Sequence, residues 1–224
     1  MSASILAGCG VRILSDDERQ PIFNAPWPAV VATLVIVLGY LVQTFLPQNW
    51  LLANFAFSSA AFEQGRWPLL FTAIFLHGSW AHALMNAGAA LAFGTPVARY
   101  FGASTRGALI FLVFYLLCGG LASLGYGLVN PGSTTLMIGA SGAVAGLVGA
   151  AARLIGRPTP GPFLSSPVIS MTLGWIAVNL MLALVGFAPG LGGAGVAWEA
   201  HIFGYIAGLL LIGAFGRVAG AQQA

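Results

Sequence analysis

Charged side chains are scarce in this sequence. Asp, Glu, Lys and Arg together make up 6% of its 224 residues, against roughly 25% in an ordinary soluble domain. Lysine is absent, and the formal net charge of +3 comes from isolated arginines rather than a basic block. The charge pattern therefore provides no indication of nucleic-acid binding.

Aspartate and cysteine are also rare. Asp16 and Asp17, the only aspartates, lie near the N-terminus, which excludes an aspartyl protease site in any apolar segment. Cys9 and Cys118 lack the spacing of a metal or redox site, and the His-Glu-x-x-His motif of metalloproteases does not occur. We therefore expect neither a metal nor a cofactor.

Apolar side chains are abundant instead, at 58% of the residues, and the mean hydropathy is +0.92. Several apolar segments approach the ~20 residues that a bilayer core requires, and the 31 glycines suit close contact between membrane helices. We predict an all-α, polytopic membrane protein with six transmembrane helices. The predicted segments are residues 28–46, 69–98 (spanning from about Trp80), 108–129, 139–154, 167–187 and 200–215.

Arginine positions predict the orientation of this bundle. Positive residues in short loops stay on the cytoplasmic side, and seven of the eight arginines fall on one predicted side, with Arg66 the exception. Both termini are therefore predicted to be cytoplasmic. We divide the chain into an N-terminal tail (1–26), a membrane domain (27–217) with an interfacial loop (47–68), and a short C-terminal tail (218–224).

Polar side chains within the apolar segments gather near one membrane face. In the predicted orientation, the second, fourth and sixth helices begin on the outer side. Their polar residues near those starts are His82, Asn86, Ser141 and His201. Because polar groups in a membrane are costly, they indicate function by default, and we expect one outward-facing site.

Ser141 and His201 are candidates for a catalytic dyad, since a serine hydroxyl becomes a good nucleophile when a neighbouring base takes its proton. The backbone N–H of Ser141, in the first helical turn, is a candidate oxyanion donor. His82 and Asn86 are four residues apart on one helix face and are further candidates. Glu199 is a weak candidate for a third member, because a spacing of two residues places it on a different helix face from His201.

Ser141 also has a purely structural interpretation as a small residue in a tight helix contact, with Gly149 on the same helix. The two interpretations are compatible, because close approach of the fourth and sixth helices would bring Ser141 to His201. Small residues at four-residue spacing are typical of such contacts. The glycines assigned to packing at the site are Gly139, Gly142, Gly146, Gly204 and Gly208.

Three motifs, in this order, resemble the signature of rhomboid family intramembrane serine proteases of the prokaryotic six-helix type. They are His-Ala-Leu-Met-Asn at 82–86, Gly-Ala-Ser-Gly at 139–142 and Ala-His-Ile-Phe-Gly at 200–204. The resemblance covers roughly residues 60–216. It implies a rhomboid-like bundle in which Ser141 is the nucleophile, His201 the base, and His82 and Asn86 the oxyanion stabilisers.

Two positions depart from the family pattern. Arg66-Trp67-Pro68 stands where rhomboids often have Trp-Arg, and Ala145 stands where many members carry an aromatic ring that stacks on the base. Which group orients His201 is therefore left open. His77 is interpreted as a hydrogen-bonding loop residue, and Asn179 as an interhelical hydrogen-bonding residue.

The primary hypothesis is a serine endopeptidase in the lipid bilayer that cleaves transmembrane protein substrates near their outer end through an acyl-enzyme. A second is a catalytically inactive rhomboid-like protein that binds membrane clients. A small-solute transporter is disfavoured, because the central parts of the spans carry no charged residue. The expected location is a bacterial cytoplasmic (inner) membrane, and the oligomeric state is open.

Overall fold

The computed structural model describes residues 24–185 and 196–220. Within these residues the fold is all-helical, with no strand and one isolated β-bridge between Phe57 and Met137. A short 3-10 turn, Ala73–Phe75, follows the fourth helix. The helices are α1 (Trp27–Gln43), α2 (Gln48–Phe55), α3 (Ser59–Glu63), α4 (Leu69–Thr72), α5 (Trp80–Phe101), α6 (Thr105–Val129), α7 (Ser141–Leu154), α8 (Ser166–Val185) and α9 (Trp198–Ala219).

The all-α prediction is confirmed, and each of the six predicted helical segments overlaps one long helix: α1, α5, α6, α7, α8 or α9. Among the described residues, three helices are long and apolar enough to cross a membrane, namely α6, α8 and α9, whereas α1 and α7 are apolar but shorter. The count of six spans and the location of the termini stay predictions. The tails at 1–23 and 221–224, and the predicted end of the fifth helix at 186–187, lie outside the described residues.

Local sequence signals explain where the long helices begin. Ser79 precedes α5 and its Oγ accepts a hydrogen bond from the backbone N–H of His82 at 3.1 Å. Ser104 caps α6 in the same way, accepting from the N–H of Gly107 at 3.2 Å. Serine is a preferred residue at this position because its oxygen pairs with an N–H that lacks a partner in the helix. The α5 cap fixes the helix turn that carries His82.

Helix α7 lies at the centre of the bundle and packs against α5, α6 and α9. Every residue from Gly142 to Leu154 is buried except Arg153. The neighbouring core includes the fully buried side chains of Phe114, Leu147 and Ile212. A helix that is small and apolar on all faces is one that belongs inside a bundle, and this position fixes α7 from every side.

The segment 47–68, which contains α2 and α3, is joined by hydrogen bonds to the loop 130–139. Phe57 and Met137 exchange two backbone hydrogen bonds of 3.0 and 2.8 Å, and the N–H of Ala60 donates to the carbonyl of Ser133 at 3.0 Å. A carboxylate oxygen of Glu63 accepts the N–H of Gly132 at 2.9 Å. The chain that leads into α7 is therefore held along most of its length.

Arg66 lies within the first of these segments. Its guanidinium donates to the carbonyls of Ala53 and Asn54, at 3.0 and 3.3 Å. These carbonyls belong to the last turn of α2, where carbonyl groups lack helical partners and favour a positive charge. Arg66 thus ties the C-terminus of α2 to the chain ahead of α4.

The predicted start of the fourth long helix at residue 139 is two residues early. Gly139 has a backbone φ of +124°, which is outside the helical region. Its N–H donates instead to the carbonyl of Ala73 at 2.9 Å. The predicted end of the first helix at residue 46 is three residues late, because α1 ends at Gln43. The Gln43 side chain forms hydrogen bonds with the backbone of His77.

Candidate active site

One cavity brings the predicted site residues together. Its volume is about 980 Å³, and the described residues that line it come from α5, α6, α7, α8, α9 and the loop before α7. Polar side chains are concentrated at a few points of a largely apolar wall. The polar side chains in its wall include those of His82, Asn86, Ser141, Asn179 and His201.

Ser141 is the first residue of α7 and is half-buried at the cavity wall. No side chain caps this helix, so the first N–H groups of α7 have no partner within it. The two preceding N–H groups are both used. Gly139 donates to the carbonyl of Ala73 at 2.9 Å, and Ala140 donates to Nε2 of His77 at 3.4 Å. The loop is thereby fixed, while the N–H of Ser141 has no hydrogen-bond partner among the described residues.

Gly139 leaves open the space between Ser141 and His82. A Cβ on Gly139 would lie 2.8 Å from the Nε2 atom of His82 and 3.8 Å from Oγ of Ser141. The positive φ of Gly139 is also one that side-chain-bearing residues rarely adopt. Glycine at this position therefore satisfies a backbone requirement and a spatial one together.

His82 and Asn86 lie one turn apart on α5, and both are buried. Nδ1 of His82 accepts the N–H of Gly78 at 3.5 Å, so in the neutral ring the proton is on Nε2, the nitrogen next to Gly139. Nδ2 of Asn86 is buried without a hydrogen-bond partner among the described residues. His82, Asn86 and Ser141 all line the cavity, and each carries an N–H donor.

His77 lies outside the cavity and supports it. Its backbone N–H donates to Oε1 of Gln43 at 3.1 Å, and its carbonyl accepts from Nε2 of Gln43 at 2.6 Å. Burial, with a smaller contribution from His82, lowers the pKa of His77 to about 3. The ring is therefore neutral at physiological pH and can accept the N–H of Ala140, as expected of a hydrogen-bonding loop residue.

His201 is in the first turns of α9 and is 9% exposed. Its Nδ1 forms a 2.8 Å hydrogen bond with Oδ1 of Asn179 on α8, so the weak candidate Glu199 is not its partner. The structure contains no hydrogen bond between Ser141 and His201, although both line the cavity. Catalytic hydrogen bonds are often long in a free enzyme and tighten with substrate.

Helices α7 and α9 meet through glycine backbones. A methyl group on Gly204 would overlap the carbonyl oxygen of Gly142, one on Gly208 would overlap that of Gly146, and one on Gly149 would overlap that of Tyr205. Of the glycines assigned to packing, Gly142, Gly146, Gly204 and Gly208 lie where the main chains of α7 and α9 touch, whereas Gly139 lies next to the His82 ring. This contact sets the separation of the helices that carry Ser141 and His201.

The aromatic surroundings of His201 are built differently from those of many rhomboids, as the positions of Ala145 and Tyr205 indicate. Ala145 is fully buried and packs with Val148 and Tyr205, and its methyl side chain has no ring to stack on His201. The Tyr205 ring stacks on Trp175 instead, with centroids 5.9 Å apart and planes at 15°. The Tyr205 hydroxyl is hydrogen-bonded to Thr172 at 2.8 Å. An aromatic support exists beside His201, but it comes from α8.

Sequence reasoning missed three contributions to this site. It treated Asn179 only as an interhelical hydrogen-bonding residue, and it assigned no role to Trp175 or Gln43. The available signal was a polar residue in an apolar segment, which is a functional hypothesis by default. Trp175 and Asn179 are also four residues apart and so share a helix face.

The Rhomboid domain family model matches residues 64–218. The matched range contains His82, Asn86, Ser141, Asn179 and His201. No curated protein matches the sequence.

Proposed function

The chain belongs to the rhomboid family of multi-pass membrane proteins, and on that premise we propose that it is an intramembrane serine endopeptidase. Its substrates are transmembrane proteins, which it cleaves near their outer end through an acyl-enzyme. Ser141 is the nucleophile, His201 the base, and His82, Asn86 and the N–H of Ser141 stabilise the oxyanion. The reaction requires no metal or cofactor.

One observation carries the proposal. Ser141, His201 and three hydrogen-bond donors surround one cavity, in a chain whose helices are otherwise apolar. Each of these groups is expensive to bury in a membrane protein. A packing role accounts for a single small residue such as Ser141, but it does not account for two histidines and an unpaired amide at the same cavity.

The first step is the attack on the substrate. Oγ of Ser141 forms a bond to the scissile carbonyl carbon while Nε2 of His201 takes the Oγ proton. The π electrons of the carbonyl move onto its oxygen, which becomes negatively charged. The Nδ1 atom of His201 is occupied by Asn179, so Nε2 is the nitrogen left for this proton.

The oxyanion is stabilised by donors that are in place before the reaction. Nε2–H of His82, Nδ2–H of Asn86 and the N–H of Ser141 supply up to three hydrogen bonds. Donors fixed in advance need no reorganisation, and removing one such donor typically costs about 10²–10³-fold in kcat. The unpaired Nδ2 of Asn86 is the group whose burial this role explains.

The intermediate then breaks down in two stages. Protonated His201 gives its proton to the leaving amine as the C–N bond breaks. The N-terminal fragment of the substrate stays on Ser141 as an ester. A water molecule loses its proton to His201 and attacks this ester. Return of that proton to Oγ breaks the ester bond, releases the product as a carboxylic acid that then loses its proton to water, and restores the enzyme.

The proposed membrane arrangement has six spans and cytoplasmic termini. Helix α7 has 14 residues, or ~21 Å of length at ~1.5 Å per residue, which is shorter than a hydrocarbon core of ~30 Å. With its C-terminal end near Arg153 at the cytoplasmic side, its N-terminal Ser141 lies below the outer surface. The cavity then opens outward, and the expected location is a bacterial inner membrane.

The test combines chemical labelling with cleavage. Wild-type protein in detergent or vesicles is expected to react with a fluorophosphonate probe and to cleave a single-span substrate that has small, helix-destabilising residues near its outer end. Ser141→Ala should abolish both. Ser170→Ala, which removes an exposed hydroxyl on α8, is the matched control and should retain both.

The inactive, client-binding alternative makes the opposite predictions. It requires that wild-type protein shows no labelling and no cleavage, and that client capture is unchanged by Ser141→Ala or His201→Ala. Cleavage that persists in Ser141→Ala would also contradict the protease mechanism proposed above.

A further inference from the structure

We propose that Asn179 is the positioning residue of the base, so that the site operates as Ser141–His201–Asn179 rather than as a dyad alone. The inference rests on the proposed function and adds a role that the motifs do not include. Asn179 acts through His201: it holds the imidazole in one tautomer and one orientation.

The first support is the contact itself. Oδ1 of Asn179 lies 2.8 Å from Nδ1 of His201, and Asn179 is 1% exposed. Among the described side chains of α8, only Asn179 and Val168 are buried. A polar side chain is thus the main buried group of a largely exposed helix. Burial of an amide is unfavourable unless it is hydrogen-bonded, and here one of its two partners is the base.

The second support is the orientation of the amide. Nδ2 of Asn179 donates to the carbonyl oxygen of Trp175 at 2.8 Å. Rotating the amide by 180° would place its oxygen against this carbonyl, and two acceptors cannot pair. The second hydrogen bond therefore directs the amide oxygen, and not the amide nitrogen, at His201.

The tautomer of His201 follows from that orientation. An amide oxygen only accepts, so Nδ1 of His201 must carry the proton that it shares with Asn179. In the neutral ring Nε2 is then unprotonated, which is the state that a base needs in order to take the proton of Ser141. The tautomer of a histidine is set by the hydrogen bond at its other nitrogen.

Trp175 fixes the same turn of α9 from one helical turn earlier on α8. Its indole Nε1–H donates to the backbone carbonyl of His201 at 3.4 Å, and its ring centroid lies 6.2 Å from that of His201. The Tyr205 ring also stacks on the indole of Trp175, with ring centroids 5.9 Å apart. Trp175 and Asn179, called the α8 clamp below, therefore hold the backbone and the ring of His201.

A purely structural role for Asn179 is the competing explanation. In that case its hydrogen bonds would join α8 to α9 without affecting the chemistry. Loss of the side chain would then lower stability, but kcat would change only as much as it does for other α8 substitutions of similar size. Stability and kcat must therefore be measured on the same variants.

The central experiment compares Asn179→Leu with Asn179→Asp. Leucine has a similar size but no acceptor, so we expect kcat for the single-span substrate to fall by about 10–100-fold. This is less than the full contribution of a general base, which is about 10²–10⁴-fold. KM should stay within about twofold of wild type, and the rate of fluorophosphonate labelling should fall with kcat. Aspartate keeps an oxygen acceptor in either ionisation state and should restore most of the lost kcat.

Leu180→Ala is the matched control, because Leu180 is the next residue on α8 and is 55% exposed. It should leave kcat unchanged. Equal kcat values for Asn179→Leu and Leu180→Ala, or no recovery in Asn179→Asp, would overturn the proposal. Retained activity in Ser141→Ala would instead overturn the proposed function, so the two failures are distinguishable.

Asn179→Gln provides a second test that does not depend on the folding of the leucine variant. It keeps the amide but moves its oxygen by one methylene, away from the 2.8 Å contact. We expect kcat to fall while thermal stability in detergent stays close to wild type. An unchanged kcat in this variant would contradict a positioning role.

Discussion

Helices α7 and α8 both contribute to the site, but they are held in opposite ways. All of α7 from Gly142 onward is buried except Arg153, and its backbone touches the backbone of α9 through glycines. In α8, only 11% of the apolar stretch is buried, against 50% in α6. Its connection to the site is the α8 clamp, which is made by side chains.

The difference indicates a division of tasks. Backbone contacts between α7 and α9 fix the separation of the helices that carry Ser141 and His201. Side-chain hydrogen bonds from α8 fix the direction of the His201 ring. Changes to the first should therefore affect folding and activity together, whereas changes to the second should affect activity with little loss of stability.

The largest expected effect is that of a methyl group in the α7–α9 contact. In Gly208→Ala the new Cβ would overlap the carbonyl of Gly146, and its distance from the Gly146 Cα would be 2.8 Å. Overpacking of this kind costs about 1–3 kcal/mol, and we expect a lower thermal midpoint in detergent together with loss of cleavage. Gly213→Ala on the same helix has nothing within 4 Å of its Cβ and should retain both.

The next effect is that of Gly139→Ala, at the entrance to α7, where a strong loss of activity is expected together with some loss of stability. The Cβ would lie 2.8 Å from the His82 ring, and the positive φ adds strain of roughly 1–3 kcal/mol. Gly132→Ala is the control, since Gly132 also has a positive φ, of +68°, but an open surrounding. Similar rates of substrate cleavage for the two variants would show that the space next to His82 is unimportant.

A modest effect on activity alone is expected for Trp175→Phe in the α8 clamp. Phenylalanine keeps an aromatic ring next to Tyr205 but removes the indole N–H that donates to the His201 carbonyl at 3.4 Å. One weak hydrogen bond contributes about 0.5–1.5 kcal/mol, so kcat should fall by about 2–10-fold. A large drop in the thermal midpoint instead would mean that Trp175 supports the fold of α8.

No loss is expected for Gly174→Ala, which lies next to Trp175 on the exposed side of α8. A Cβ there meets nothing within 4 Å, and alanine is favoured over glycine in helices by up to about 1 kcal/mol. Cleavage should be unchanged and the thermal midpoint equal or higher. A fall in cleavage and in the thermal midpoint as large as that of Gly208→Ala would contradict the conclusion that α8, unlike α7, is held by side chains alone.

The sequence was sufficient to predict the long helices and a set of candidate site residues that share one cavity, because both depend on local signals. Apolar segments predicted the six long helices, and the motifs around His82, Ser141 and His201 predicted residues that the structure brings to one cavity. The start of α7 was missed by two residues. Gly139 continues the apolar pattern, and only its pairing with Ala73 removes it from the helix.

The partner of His201 could not be predicted in the same way. A search along the chain considers Glu199, which is near in sequence, whereas Asn179 is 22 residues away on another helix. Which face of α8 meets α9 depends on how the largely exposed and uniformly apolar α8 rotates about its axis, and its hydrophobic pattern carries little information about that rotation. The hydrogen bonds of Arg66 could not be predicted either, because they depend on where α2 ends.

The glycine contact between α7 and α9 also determines which substitutions this bundle can accept. Glycine is the smallest residue, so every substitution at Gly149, Gly204 or Gly208 adds atoms where two main chains already touch, and the separation of the helices can only increase. The α8 clamp has no such bound, because several side chains can accept a hydrogen bond or stack on a ring. The hydrogen bonding and stacking around His201 can therefore change in small steps through α8, while the spacing of α7 and α9 is closed to gradual adjustment.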